Sequence, residues 1–99
     1  MTSLWLVLVE ESNLEETIRH MEAFSSLQAC YSFLQKKVAN YKTFEWPSQL
    51  VPPELLSIAE LQSIPENEVE QVYEFEHQTV RNDFFAINIF VKRSKLMSS

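Results

Sequence analysis

Three stretches of the chain show the hydrophobic patterns of β-strands. Residues 4–9 form an uninterrupted apolar run of strand length. Such a run predicts a strand covered on both faces, because successive side chains of a strand point to opposite sides. Residues 70–76 alternate with a period of two, and residues 85–91 are rich in β-branched and aromatic side chains. The pattern therefore predicts one strand near the start of the chain and a hairpin near its end.

The register of this hairpin follows from its side chains. A three-residue loop at 80–82 is expected to contain Asn82 in the left-handed region, since the chain has no glycine to take that position. A slip by one residue would place Glu74 opposite Ile89 and Glu76 opposite Ile87, so the pattern disfavours it. The predicted pairs are Tyr73–Ile89, Phe75–Ile87 and His77–Phe85 on one face, with Glu70–Lys92 and Val72–Phe90 on the other.

Helical patterns occupy the middle of the sequence. Ser12 with Glu15, and Asn13 with Glu16, have the spacing of a capping box and predict a helix start. The apolar stripe of this first helix consists of Leu14, Ile18 and Met21, and that of the next of Leu27, Tyr31, Leu34, Val38 and Tyr41. The two stripes lie on nearly opposite sides of a common axis. We expect a break at 25–26, with a fresh capping box from Ser25 and Gln28; a single long helix buried from two directions is the alternative.

A short helix at 53–64 completes the set of predicted elements, because Pro53 suits a first helical turn and Pro65 cannot continue a helix. The predicted fold class is α+β, with the order β-α-α-(short α)-β-β in one domain, residues 1–99. It has a three-stranded, mainly antiparallel sheet with helices packed on one face. Whether the first strand lies beside the last or the middle strand stays open at this point.

Composition and charge narrow the classes of function. The net charge of −6 disfavours binding to nucleic acid or to an anionic membrane and favours a basic partner or plain solubility. The absence of glycine excludes the Gly-dependent phosphate-binding loops and nucleophile elbows. A single cysteine, Cys30, excludes an internal disulfide and a multi-cysteine zinc site, and favours a reducing compartment. Residues 4–9 lack the flanks of a signal peptide and are too short for a membrane span, so we expect a cytoplasmic protein.

Candidate catalytic groups are few. His20 and His77 have no companion ligands at metal spacing. Cys30 lies in the interior of a predicted helix, away from the helix N-terminus that would stabilise a thiolate. Glu70, Glu74 and Glu76 are predicted to share one strand face, but paired-carboxylate chemistry needs a cleft that shifts one pKa. A solvated acidic face is the simpler interpretation. The sequence predicts no catalytic residue, no metal and no cofactor.

The favoured hypothesis is a non-catalytic protein-binding module. The helices can cover one side of a small sheet, and the other side would present an apolar centre rimmed by acids, as many partner-binding surfaces do. Docking is expected through this face or a strand edge, on another protein or on a second copy (a homodimer). The predicted contact residues are Val72, Phe84, Phe90, Trp46, Glu70, Glu74 and Glu76. The competing structural reading is that the helix at 53–64 covers this side.

Two further hypotheses belong to other classes. One is a small acidic inhibitor that occupies a basic, nucleic-acid-binding surface of an effector protein, as phage or mobile-element proteins do when they block host defence. This hypothesis predicts that binding weakens strongly with salt, and that charge reversal at Glu70, Glu74 and Glu76 abolishes inhibition. The other is a small-molecule enzyme with a pocket gathering His77, Cys30 or paired glutamates.

Overall fold

Long antiparallel strands dominate the computed structural model, which describes residues 3–13, 15–42, 53–78 and 84–95. Within these ranges, four strands form one sheet with the order β2-β1-β4-β3, and every neighbouring pair is antiparallel. The elements are β1 Ser3–Asn13, β2 Thr17–Phe24, α1 Leu27–Lys42, α2 Ile58–Gln62, β3 Val69–Gln78 and β4 Phe84–Lys95. The α+β class is confirmed. The three-stranded sheet is wrong, because the first predicted helix is a strand.

A hairpin turn replaces the predicted helix start at Ser12 and Asn13. The Asn13 side-chain oxygen accepts hydrogen bonds from the amides of Glu15 and Glu16, at 2.8 and 2.9 Å, and the Asn13 amide donates to the Glu16 carbonyl. A capping side chain at a helix start satisfies the same amides, so the local pattern is shared by both structures. The chain then reverses and β2 pairs with β1 from Ser12–Thr17 to Trp5–Phe24.

β1 is an interior strand of the sheet, and the prediction that both of its faces are covered is wrong for one face. β1 pairs with β2 on one side and β4 on the other, which places it next to the last strand of the chain. Trp5, Val7 and Val9 are buried on one face of the sheet. The alternate positions of β1 point to the opposite face, as strand geometry requires.

The pairing of β3 with β4 is predicted correctly over its second half only. Tyr73 lies opposite Ile89, and the next two predicted pairs, with Phe75 and His77, are also present. A β-bulge between Gln71 and Tyr73 shifts the first half by one residue. The predicted Glu70–Lys92 and Val72–Phe90 pairs are therefore wrong: the observed pairs are Glu70–Val91 and Gln71–Phe90.

Helix α1 begins at Leu27, so the alternative of one long helix is also wrong. The Ser26 hydroxyl accepts from the Ala29 amide at 3.1 Å, which makes Ser26, and not Ser25, the capping side chain. Buried Cys30, Leu34, Val38 and Tyr41 form the face of α1 that packs on the sheet. This face follows the predicted stripe from Leu34 onward.

Helix α2 is shorter than the predicted helix at 53–64. Its N-cap is Ser57, whose hydroxyl accepts from the Glu60 amide while the Glu60 carboxylate accepts from the Ser57 amide. The preceding segment is fixed by two tyrosines: Tyr31 donates to the Leu56 carbonyl and Tyr73 to the Pro53 carbonyl, each at 3.0 Å. Neither helix of the described ranges is long and apolar enough to cross a membrane.

Both helices pack on the same side of the sheet. Their buried side chains belong to one cluster with side chains of β1, β3 and β4. Leu61 of α2 has no exposed surface within it. The reading in which the short helix covers the second side is therefore wrong for α2. The cluster consists of Trp5, Val7, Val9, Cys30, Leu34, Val38, Tyr41, Leu61, Ile64, Tyr73, Phe75, Ile87, Ile89 and Val91.

Candidate protein-docking surface

The sheet has a side that neither α1 nor α2 covers, which we call the open face. Strand pairing assigns its residues in rows that run across β2, β1, β4 and β3. The rows are Thr17–Ser12–Ala86–Glu76, Arg19–Glu10–Asn88–Glu74, Met21–Leu8–Phe90–Gln71 and Ala23–Leu6–Lys92–Val69. The first two rows are mostly polar, and the last two are mostly apolar. The open face therefore divides into a polar half and an apolar half.

Aliphatic, aromatic and thioether side chains form the apolar half. Met21 and Val69 are 64% and 59% exposed, two of the highest values among large apolar side chains of the described residues. Between the side chains lies a shallow depression of about 330 Å³. Its lining residues are Leu6, Val7, Leu8, Glu10, Met21, Val69, Phe90 and Lys92. An exposed apolar patch with charged residues at its border is the usual composition of a protein-contact surface.

Cross-strand contacts order the polar half and its border with the apolar half. Arg19 lies 3.4 Å from the Glu10 carboxylate, and the Gln71 amide donates to the Asn88 side-chain oxygen at 2.7 Å. Arg19 and Glu10 therefore form an ion pair between β2 and β1. Because this ion pair is exposed, it contributes little to stability and mainly orients the two side chains.

Five of the seven predicted contact residues fall into three groups. Phe90 lies in the apolar half, and Glu74 and Glu76 lie in the polar half. The bulge places Glu70 and Val72 elsewhere, where they line a depression of about 380 Å³ between β3 and α2. Glu70 therefore does not share a face with Glu74 and Glu76.

Two predicted features fall outside what the structure describes. Trp46 lies outside the described residues, as does Asn82 with its loop. For Phe84 the backbone pairs with Gln78, but its side chain lies outside the described part.

Sequence reasoning missed two exposed members of this surface, Met21 and Val69. Met21 was assigned to a helix stripe, because β2 lacks a clear period of two. Val69 stands just before the alternating run at 70–76, and the bulge after it reverses the face on which it lies. The alternate leucines of β1 were the usable signal, since Leu6 and Leu8 share one side of a strand that is apolar on both.

Groups with possible chemistry lie on the helix side. Burial raises the pKa of the Cys30 thiol to about 11, so the thiolate is a minor species at neutral pH. Burial raises the pKa of Tyr41. The Glu11 carboxylate raises it further, because it accepts a hydrogen bond from the Tyr41 hydroxyl at 2.7 Å. Burial and the charge of Glu54 raise the pKa of Tyr73. Each of these shifts stabilises the protonated group, which favours a structural role.

The histidines have separate surroundings. His20 lies on the edge strand β2, where its Nε2 is 2.8 Å from Glu22 Oε1. His77 is half-buried on the helix side opposite Phe85, as the hairpin register predicts. Within the described ranges, no three His, Cys, Asp or Glu side chains are grouped as a metal site would require.

Comparisons with family models, with curated proteins and with solved structures found no match to this chain.

Proposed function

We propose that this chain is a non-catalytic protein-binding module that docks through the apolar half of the open face. One observation carries the proposal: β1 and β4 carry large apolar side chains on both sides of the sheet, while α1 and α2 lie on one side only. Burial of an apolar side chain such as Leu8 or Phe90 in a partner contributes roughly 1.5–3 kcal/mol. The exposed patch is thus a source of binding free energy.

The partner that fits this face is a protein presenting an apolar side chain next to lysine or arginine. Glu74 and Glu76 are exposed in the polar half and contribute to the chain's net charge of −6. Such a field accelerates encounter with a basic surface, while apolar contact supplies most of the affinity. We place this interaction in the cytoplasm, because the single buried Cys30 suits a reducing compartment.

The acidic-inhibitor alternative relies on charge rather than apolar contact. Its predicted row of Glu70, Glu74 and Glu76 is interrupted by the bulge, which leaves two of the three carboxylates on the open face. This arrangement favours the mixed apolar and acidic surface over a purely electrostatic one. The enzyme alternative has little support, because Cys30 is protonated and fully buried.

A pair of peptides tests the docking surface. A short synthetic peptide of alternating leucine and lysine is expected to shift the backbone amide resonances of β1 and β4 in a nuclear magnetic resonance titration. We expect its leucine–glutamate counterpart to bind at least about tenfold more weakly, because it meets the acidic polar half. The double variant Glu74→Lys/Glu76→Lys is expected to reduce or reverse this preference.

Matched variants separate the two kinds of binding. Leu8→Asp is expected to weaken binding of the basic peptide even at high salt. The control Ser32→Asp, at an exposed position of α1, is expected to have little effect on binding. Binding that ignores Leu8→Asp and disappears with salt would favour the electrostatic alternative. Resonance shifts confined to the helix side would contradict the proposal.

A further inference from the structure

The outer edge of β2 has the features of a pairing surface. β2 ends the sheet, and in the part of the chain that the structure describes it has one strand neighbour, β1. The opposite edge strand, β3, is interrupted by a bulge, which is a common means of preventing edge pairing. The register of β2 with β1 runs without a break from Thr17 to Phe24. Ile18 and Met21, 54% and 64% exposed, both lie on this strand.

The backbone groups that point outward can be assigned. The Asn13 amide donates to the Glu16 carbonyl, so residues 13 and 16 form a hydrogen-bonded pair. Antiparallel pairs alternate between hydrogen-bonded and non-hydrogen-bonded. The even-numbered residues of β2 therefore bond to β1, and the odd-numbered ones direct their N–H and C=O groups away from the sheet. These outward residues are Thr17, Arg19, Met21 and Ala23.

We propose that β2 pairs antiparallel with β2 of a second copy, about a two-fold axis at Met21. A two-fold axis perpendicular to the sheet keeps each face on its own side, so even-numbered residues meet even-numbered ones. In this register the outward groups of Met21 bond to those of the partner Met21. The other opposed residues are Ile18 with Phe24, His20 with Glu22, and Arg19 with Ala23.

Side-chain complementarity selects this register over its neighbours. Centring the pair on His20 places histidine opposite histidine and Ile18 opposite Glu22. Centring it on Arg19 or on Glu22 opposes like charges directly. With Met21 at the centre, His20 of each copy faces a Glu22 carboxylate and Ile18 faces an aromatic ring. Opposite-charge and aromatic pairs across strands are stabilising, and like-charge pairs are destabilising.

The paired molecule contains one continuous eight-stranded sheet. Met21 ends the row that contains Leu8 and Phe90, so contact between the two Met21 residues joins the apolar halves of both open faces. The docking surface of the proposed function stays exposed and doubles in extent. The dimer rests on the edge of β2 and does not depend on that function.

Sedimentation equilibrium over a range of concentrations tests the dimer. The protein is expected to dimerise, and His20→Glu and Glu22→Lys are each expected to raise the dissociation constant by about tenfold. The first places glutamate opposite glutamate twice, and the second removes both carboxylates that face His20. An equimolar mixture of the two variants is expected to recover dimers, since glutamate then faces lysine or histidine in every charged pair.

Two variants locate the contact independently. Met21→Pro removes an outward N–H and is expected to abolish dimers, while Met21→Thr keeps that donor and retains them. Circular dichroism verifies that each variant folds; if Met21→Pro does not, recovery by the charge-variant mixture decides. A protein that is monomeric at its solubility limit would overturn the proposal. So would a dimer that is indifferent to both charge variants but lost in Leu6→Glu, which would place the contact on the open face.

Discussion

Val7→Asp is expected to unfold the protein, whereas Leu8→Asp leaves it folded. Val7 has no exposed surface and packs in the cluster beneath α1, next to Glu22 on the neighbouring strand. A carboxylate there is buried without a partner, which costs on the order of 3–5 kcal/mol or more. This is comparable with the total stability of a domain of this size, about 5–15 kcal/mol.

Leu8 is the matched position, one residue along the same strand and on the open face. A carboxylate at this position stays in contact with water, so the expected loss is about 1–2 kcal/mol from strand propensity and partial apolar contact. Urea denaturation followed by circular dichroism measures both variants. Equal destabilisation by the two substitutions would mean that the open face is packed as tightly as the core.

Leu34→Ala is expected to lower the free energy of unfolding by about 3–5 kcal/mol. Leu34 is fully buried at the centre of the α1 face and has core side chains of the sheet around it. Its removal leaves an enclosed cavity, so the lost transfer free energy is joined by the cost of the void.

Leu6→Ala removes the same atoms from the apolar half of the open face and provides the control. No enclosed cavity forms there, and the expected loss is about 1 kcal/mol from reduced burial and strand propensity. Chemical denaturation gives both values. A small effect at Leu34 would contradict the assignment of α1 as the cover of the helix side.

Some of this architecture could be predicted because it follows from side-chain alternation. The continuous apolar run of β1 predicted a strand, and the structure places that strand in the interior of the sheet. The prediction that both of its faces are covered is wrong, because Leu6 and Leu8 lie on the open face. The pairs of Tyr73, Phe75 and His77 followed from the same alternation. The side chains of these three residues face the helix side of the sheet, so packing constrains their pattern.

The parts that could not be predicted lie where packing constrains the sequence least. β2 is an edge strand with exposed side chains over most of its length, so its residues carry no clear alternation. Asn13 bonds to the same amides in this turn as it would at a helix start. The bulge in β3 has no glycine or proline to mark it, and it moved Glu70 and Val72 away from the predicted contact surface.

The exposure of methyl groups to a soluble gadolinium chelate tests the central claim most directly. Methyl groups of Leu6, Leu8 and Met21 are expected to show strong relaxation enhancement, because they lie on the open face. Methyl groups of Val7 and Leu34 are expected to show little enhancement, because they are buried in the core between the helices and the sheet. Equal protection of both sets in the isolated protein would contradict the account, since it would mean that the chain covers both sides of its own sheet.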